Sequence, residues 1–221
     1  MQFTHSGVLL CLSVITLWGA DQGRHPLTGR TIAGVMGAGG ASWLERAERE
    51  NEERPRLAVR LLDVRPGEAV ADVGAGSGYY TELLARAVGP AGAVYATDIQ
   101  PGMLELLERR IRQHKLTNVK TVLGAEDDPR LPAGALDLVL LVDVYHEFSR
   151  PQQMLRRIRA ALKPGGRLVL LEYRKEDRAV PIREEHKMSV QDVRTELEAE
   201  RFRFERVLND LPWQHILIFR K

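Results

Sequence analysis

Apolar residues in the carboxyl-terminal two-thirds of the chain come in short unbroken runs separated by amphipathic stretches. Leu138-Val139-Leu140-Leu141-Val142 and Leu168-Val169-Leu170-Leu171 are continuous runs of strand length, as strands covered on both faces require. Leu104, Leu107 and Ile111 instead recur at helical spacing and mark one buried helix face. The alternation predicts strands near 68–73, 93–97, 119–123, 136–142 and 167–173, joined by right-handed crossovers into a parallel sheet with helices on both faces. Ser149-Arg150-Pro151-Gln152 reads as a capping box with proline in the first turn, so a helix starts there. After residue 174 the rhythm changes. Ser189-Val190-Gln191-Asp192 caps a helix carrying Val193 and Leu197; Phe202 and Phe204 then alternate, and a second strand runs from Trp213 to Phe219. Two successive strands with a short connection imply an antiparallel hairpin at the sheet edge.

The amino-terminal part follows other rules. Residues 1–20 form an apolar segment in which Gly7 to Trp18 resembles a short signal-peptide core, with Gly19-Ala20 before a candidate cut. No Lys or Arg precedes it, so a mis-set start codon or a packed helix explains it equally well. It is too short to cross a bilayer as an ordinary helix, which needs about 20 apolar residues. Residues 21–64 read as an irregular Gly-, Thr- and Arg-rich connector followed by helices on either side of Arg54-Pro55. These pack as an amphipathic layer on the sheet or, by the family likeness given below, cap a cleft. Residues 65–221 form the main domain.

The strand ending at Val73 runs straight into Gly74-Ala75-Gly76-Ser77-Gly78 and then a helix near Tyr79. Such a turn brings bare backbone and unpaired helix N–H groups against a ligand. The next strand ends in Asp98, about twenty residues beyond the last glycine, where a carboxylate can accept both hydroxyls of a ribose. A dinucleotide fingerprint would need glycine at position 79. Tyrosine stands there, which argues against a nicotinamide or flavin dinucleotide.

Asp72-Val73-Gly74-Ala75-Gly76-Ser77-Gly78, Asp98-Ile99-Gln100-Pro101-Gly102-Met103-Leu104 and Leu162-Lys163-Pro164-Gly165-Gly166-Arg167-Leu168 together resemble the class I S-adenosylmethionine-dependent methyltransferases. The likeness spans residues 50–220 and is nearest in character to the ubiquinone/menaquinone C-methyltransferases. It implies a Rossmann-like, doubly wound α/β sheet of seven strands, mostly parallel, with an antiparallel last strand. It also implies S-adenosyl-L-methionine as donor and S-adenosyl-L-homocysteine as product. The resemblance puts Asp72 near the methionine end, Gly74, Gly76 and Gly78 under the donor, Asp98 on the ribose and Glu126 or Asp127 beside the adenine, with Ala75, Ile99 and Asp143 also among the cofactor-binding residues. A solvated acidic loop is the other reading of Glu126 and Asp127.

Methyl transfer from a sulfonium needs alignment, desolvation and, where required, deprotonation of the acceptor. Asp143-Val144-Tyr145-His146-Glu147-Phe148 falls at the carboxyl edge of the sheet, where open α/β folds bind ligands. His146 is the first candidate base, and His186 in the following loop is the second. Tyr145 could orient an acceptor or cradle a sulfonium, or simply pack. Asp143, Glu172 and Tyr173 stand where catechol-type O-methyltransferases carry oxygen ligands. Glu172 reads better as a polar wall residue or an arginine partner, and the expectation for the chain is no metal. His215 reads as a core histidine.

With 221 residues and a formal net charge of +2, the chain fits one domain and shows no overall nucleic-acid-binding surface. Cys11, the only cysteine, excludes an internal disulfide and any thiolate zinc site. The expected function is methyl transfer to a small organic acceptor. A methyltransferase of RNA or protein is the alternative within the class, and a donor-binding sensor without turnover is the alternative outside it. Donor supply favours the cytoplasm; the apolar leader argues for export. Oligomeric state is not legible.

Overall fold

The computed structural model describes residues 23–221; the candidate signal segment at 1–20 lies outside the described residues. Three short helices open the fold: α1 (Ala41–Leu44), α2 (Arg49–Glu52) and α3 (Pro55–Leu61). The alternating region follows as β1 (Ala69–Val73), α4 (Tyr79–Val88), β2 (Ala93–Asp98), α5 (Pro101–His114), β3 (Val119–Leu123), β4 (Leu136–Val142), α6 (Pro151–Ala161) and β5 (Leu162–Arg174). The chain ends with β6 (Lys187–Met188), α7 (Val190–Ala199), β7 (Arg203–Leu208) and β8 (Gln214–Arg220).

The sheet runs β3-β2-β1-β4-β5-β8-β7, with β6 paired to β5 off that path. All pairings from β3 to β5 are parallel, whereas β8 is antiparallel to both β5 and β7. The doubly wound sheet and antiparallel last strand are therefore as expected. The two-residue β6 makes eight strands rather than seven, because the chain after the 3₁₀ turn at Glu184–His186 touches the end of β5 at Tyr173 and Arg174. The order reverses between β1 and β4, so the carboxyl ends of these strands diverge there and open a crevice.

Helices cover both faces. On one side α6 and α7 bury Leu155, Ile158, Val193 and Leu197 against Val139, Leu141, Leu168 and Leu170 of the central strands. On the other, α3 and α4 bury Ala58, Leu84 and Val88, with Leu62 just beyond α3, against Val70, Leu138 and Leu140. Alternate residues of β4 thus serve opposite cores, which is why its sequence is continuously apolar.

Two local expectations fared differently. Ser189 caps α7 by accepting from the backbone N–H of Asp192 at 3.0 Å. Ser149 caps nothing: Arg150 is the residue before α6, and the Ser149 hydroxyl donates to Glu126 at 3.0 Å. Proline at the first position already suits that helix start. In α5 the fully covered residues are Met103 and Leu107, with Leu104 and Ile111 only half-buried.

Candidate functional site

The end of β1 turns sharply into α4, and the glycine geometry is what permits it. Gly74 has φ +74°, and a Cβ there would meet Val144 Cγ2 at 2.5 Å; Gly76 has φ +54°, and a Cβ would meet Leu44 Cδ1 at 2.8 Å. Only glycine allows the loop to lie this close to the segment after β4 and to α1. Asp98 braces the loop from β2: one carboxylate oxygen accepts from Gly76 N–H at 2.9 Å, the other from Gln100 N–H at 2.8 Å. Burial raises its pKa.

Gly74, Gly76 and Asp98 line a cavity of about 480 Å³ at the crevice. The connector and first helices also line it, through Met36, Trp43 and Leu44. A smaller recess of about 50 Å³ shares Gly74 and Asp98 with it and continues past Ile99, Gly124 and Glu126. This branch separates the two acidic candidates. Glu126 lines the recess, while Asp127 turns away to Arg150 at 3.3 Å.

Asp72 and Gly78 stand behind the cavity wall. Asp72 is almost fully buried and accepts from the Thr81 hydroxyl at 2.6 Å, tying β1 to the first turn of α4. Burial pushes its pKa up to about 6, with the Thr81 hydrogen bond opposing. Gly78, at φ +86°, makes room for Leu107 of α5. Ala75 packs with Leu107 and Ala96.

Asp143 does face the cavity. Gln214 donates to its Oδ2 at 2.6 Å, while its Oδ1 is buried without a hydrogen-bond partner among the described residues. Burial, then the nearby Glu53 and Glu172, raises its pKa well above the usual range. Beside it Glu53 accepts from Tyr173 Oη at 2.8 Å and pairs with Arg49 at 2.7 Å and Arg46 at 2.5 Å. Sequence reasoning misses this cluster. Its only trace is the charge run Glu48-Arg49-Glu50-Asn51-Glu52-Glu53-Arg54, which reads as a solvated face.

His146, Glu147 and His186 also line the cavity, and Glu147 reaches the smaller recess as well. Glu172, at 0 % exposure, spans the His146 segment: Oε1 accepts from Tyr145 N–H at 3.0 Å, and Oε2 lies 2.6 Å from His146 Nδ1. His146 Nε2 lies 3.1 Å from His186 Nδ1, and His186 Nε2 lies 2.7 Å from an Arg183 nitrogen. A guanidinium only donates, so His186 Nε2 accepts, His186 Nδ1–H donates to His146 Nε2, and His146 Nδ1–H donates to Glu172. The chain of bonds has one consistent direction. Burial, then His146 and Arg183, lowers the His186 pKa. Burial raises that of Glu147 to about 7.

Tyr145, by contrast, points away from the cleft. Its side chain is fully buried in the core, edge-on to Phe148 at 5.5 Å and with Arg30 over the ring at 5.2 Å. Tyr145 thus packs in the core, a reading its sequence also allowed, and turns inward as His146 turns toward the cavity. Arg30 in turn pairs with buried Glu196 at 2.9 Å and donates to the His146 carbonyl at 3.2 Å, which also accepts from Ala33 N–H at 3.0 Å. No periodic signal marks Arg30 or Glu196, which lie 166 residues apart.

A methyltransferase-domain family matches residues 70–166. The demethylmenaquinone methyltransferase of Geobacillus sp. is 31% identical over 114 residues, 52% of this chain and 49% of that protein. The ubiquinone/menaquinone biosynthesis C-methyltransferase UbiE of Burkholderia mallei is 34% identical over 119 residues, 54% of this chain and 49% of that protein. The chain thus matches about half the length of these curated relatives. A solved SAM-dependent methyltransferase from Aquifex aeolicus superposes with TM-score 0.79 at 25% identity, covering 84% of this chain and 99% of that one. The [4+2]-cyclase SpnF superposes with TM-score 0.64 at 17% identity, covering 76% of this chain and 80% of that one; at that distance the likeness is one of fold. The glycine loop, the Asp98 brace and the strand order agree with these likenesses, and together they support a methyltransferase of the class I S-adenosylmethionine-dependent type, with its matched domain at residues 70–166.

Proposed function

We propose that the chain transfers a methyl group from S-adenosylmethionine to a small organic acceptor bound in the same cavity. The observation that carries this reading is the continuity of one cavity from the Gly74–Gly76 loop and Asp98 to His146 and His186, which brings a donor-shaped end and an ionisable end into one space. When bound, the donor supplies a sulfonium methyl group open to in-line displacement.

The residues fit that donor. Asp98 would hold the ribose, and Glu126 with Ile99 would flank the adenine in the smaller recess. The unpartnered Asp143 Oδ1 suits a cationic α-amino group, whose charge would offset the burial that now favours the protonated acid. Asp72, Ala75 and Gly78 would act one layer back, holding the loop in shape.

The connector and first helices would serve as a cap that excludes water, which strengthens each of these electrostatic contacts. The His146–His186 pair, with the His146 ring fixed through Nδ1 by Glu172, is the polar wall offered to the acceptor. The apolar Val35, Trp43 and Ile182 beside them suit an acceptor with a hydrocarbon or aromatic body, in keeping with the names of the quinone-methylating relatives. Formal net charge of +2 lends little to an RNA or protein acceptor.

Calorimetric titration with S-adenosylhomocysteine tests the donor site. Micromolar binding, weakened at least about tenfold in Asp98→Ala by loss of charge-assisted hydrogen bonds, and no heat with NADH are expected. Failure of the folded wild-type protein to bind would overturn the reading.

A further inference from the structure

We propose that His146 Nε2, His186 Nδ1 and a carboxylate oxygen of Glu147 together bind one divalent transition-metal ion at the acceptor end of the cavity. These are the three residues whose potential ligand atoms converge among the described residues, all within 4.8 Å of one another. The sequence predicts no metal for this chain; the residues weighed for one there, Asp143, Glu172 and Tyr173, are a different set from these three.

The spacing fits an ion. Two imidazole nitrogens each about 2.1 Å from one metal stand roughly 3.0–3.4 Å apart at octahedral to tetrahedral angles; the observed separation is 3.1 Å. Glu147 Oε1 is 4.0 Å from His146 Nε2, so a side-chain rotation of less than about 1 Å at the oxygen brings it into the sphere. Within ion-pair reach, the His146 ring is the partner Glu147 has among the described residues.

The surroundings are those of a ligand histidine. A metal-bound imidazole characteristically donates its other ring N–H to a carboxylate that fixes tautomer and orientation. Glu172, buried and 2.6 Å from His146 Nδ1, does that, and is itself fixed by Tyr145 N–H. His186 must present a lone pair at Nδ1, so its proton moves to Nε2 and Arg183 withdraws. The Arg183 side chain is 75 % exposed, which makes that movement cheap.

Two imidazoles and one carboxylate suit Zn²⁺, Fe²⁺ or Mn²⁺ better than Mg²⁺ or Ca²⁺, and leave coordination positions facing the cavity. The ligand class that follows is an acceptor with a hydroxyl or thiol group able to enter an open position, its proton passing to water as the metal lowers its pKa. The metal site stands on its own geometry; this acceptor role rests on the methyl-transfer reading.

The test uses the full chain, treated with chelator and titrated with ZnCl₂ by calorimetry, with MgCl₂ as control and CoCl₂ absorption as a spectroscopic readout. One Zn²⁺ per chain and a Co²⁺ visible band are expected, with affinity falling at least about tenfold in His186→Gln and in Glu147→Gln, and about 10–100-fold in Glu172→Gln. S-adenosylhomocysteine binding persists in His186→Gln, since His186 lies outside the recess that Glu147 also lines. Absence of saturable Zn²⁺ binding to wild-type protein, or undiminished binding by both ligand variants, overturns the site while leaving donor binding intact. Zn²⁺ binding without S-adenosylhomocysteine binding upholds the site and removes its acceptor role. Should a variant fail to fold by circular dichroism, the wild-type Co²⁺ spectrum decides, since bands shifted from those of the aqua ion report imidazole ligation and an unchanged aqua-ion spectrum refutes it.

Discussion

Asp72→Asn removes a buried acid that titrates near neutrality without removing the oxygen that accepts from Thr81. The folded protein holds this carboxyl at about 6 against an ordinary value of 3.8, chiefly through burial. The fold therefore favours the protonated form. Below about pH 3.8 both folded and unfolded chains are protonated and nothing is lost. As pH rises the unfolded chain ionises first, and stability falls until the folded carboxyl ionises as well; above about pH 6 the loss is constant. An interval of about two pH units corresponds to about 3 kcal/mol. Linkage gives about 1.5 kcal/mol of that at about pH 5 and about 3 kcal/mol at about pH 7.5. The amide of the variant has no such dependence, so the stability difference should grow in the variant's favour by about 1.5 kcal/mol between about pH 5 and about pH 7.5. For a chain of this length that is roughly 3–6 °C in Tm. Any fixed cost of the new amide shifts both points equally and leaves the slope unchanged. Paired urea melts at the two pH values give the measurement; a difference independent of pH would refute burial of an ionisable Asp72.

Gly74→Ala places a Cβ 2.5 Å from Val144 Cγ2 on a backbone with φ +74°, so it should cost about 1–3 kcal/mol and weaken S-adenosylhomocysteine binding, as read by thermal shift with and without ligand; an unchanged response would contradict the tight approach of the loop to the segment after β4. Arg30→Ala leaves the fully buried Glu196 carboxylate with Thr28 and His25 but without its permanent cation and should destabilise by about 3 kcal/mol in urea melts, whereas Arg30→Met with Glu196→Leu should recover most of the loss. A single-variant effect below about 1 kcal/mol would show the pair to be dispensable.

The donor end is legible in the sequence because its parts are contiguous. A glycine loop between an apolar strand and a helix, with an acidic residue at the next strand end, is written into residues 70–98 and depends on backbone conformation that few side chains tolerate. The parallel order follows from unbroken apolar runs such as Leu138–Val142. The acceptor end is assembled from afar, and sequence reading finds its histidines but not their supports. His146 and Tyr145 are neighbours just past the end of the same strand, and one faces the cleft while the other enters the core; which is which depends on register, absent from composition. Glu172 reads as a wall residue, yet its meaning comes from the 2.6 Å contact with His146. Ser149 shows the reverse case, a local motif displaced by a tertiary partner, Glu126. The connector looks structureless in sequence since its described part is held by single long-range contacts, Arg30 to Glu196 above all, rather than by periodic burial.

The strap at 23–33, clamped on the His146 carbonyl by both Arg30 and Ala33, divides the molecule by heritability as well as by geometry. The donor half is one uninterrupted cassette, so a single recombination carries it whole. The acceptor half draws on the strap and first helices, the turn after β4, and the loop after β5, and no single crossover moves all three. Such an arrangement lets substrate preference drift by separate small changes while the donor cassette stays constant. A grafted copy of residues 70–166 would carry the glycine loop, Asp98 and His146, but leave behind the strap, Glu172 and His186.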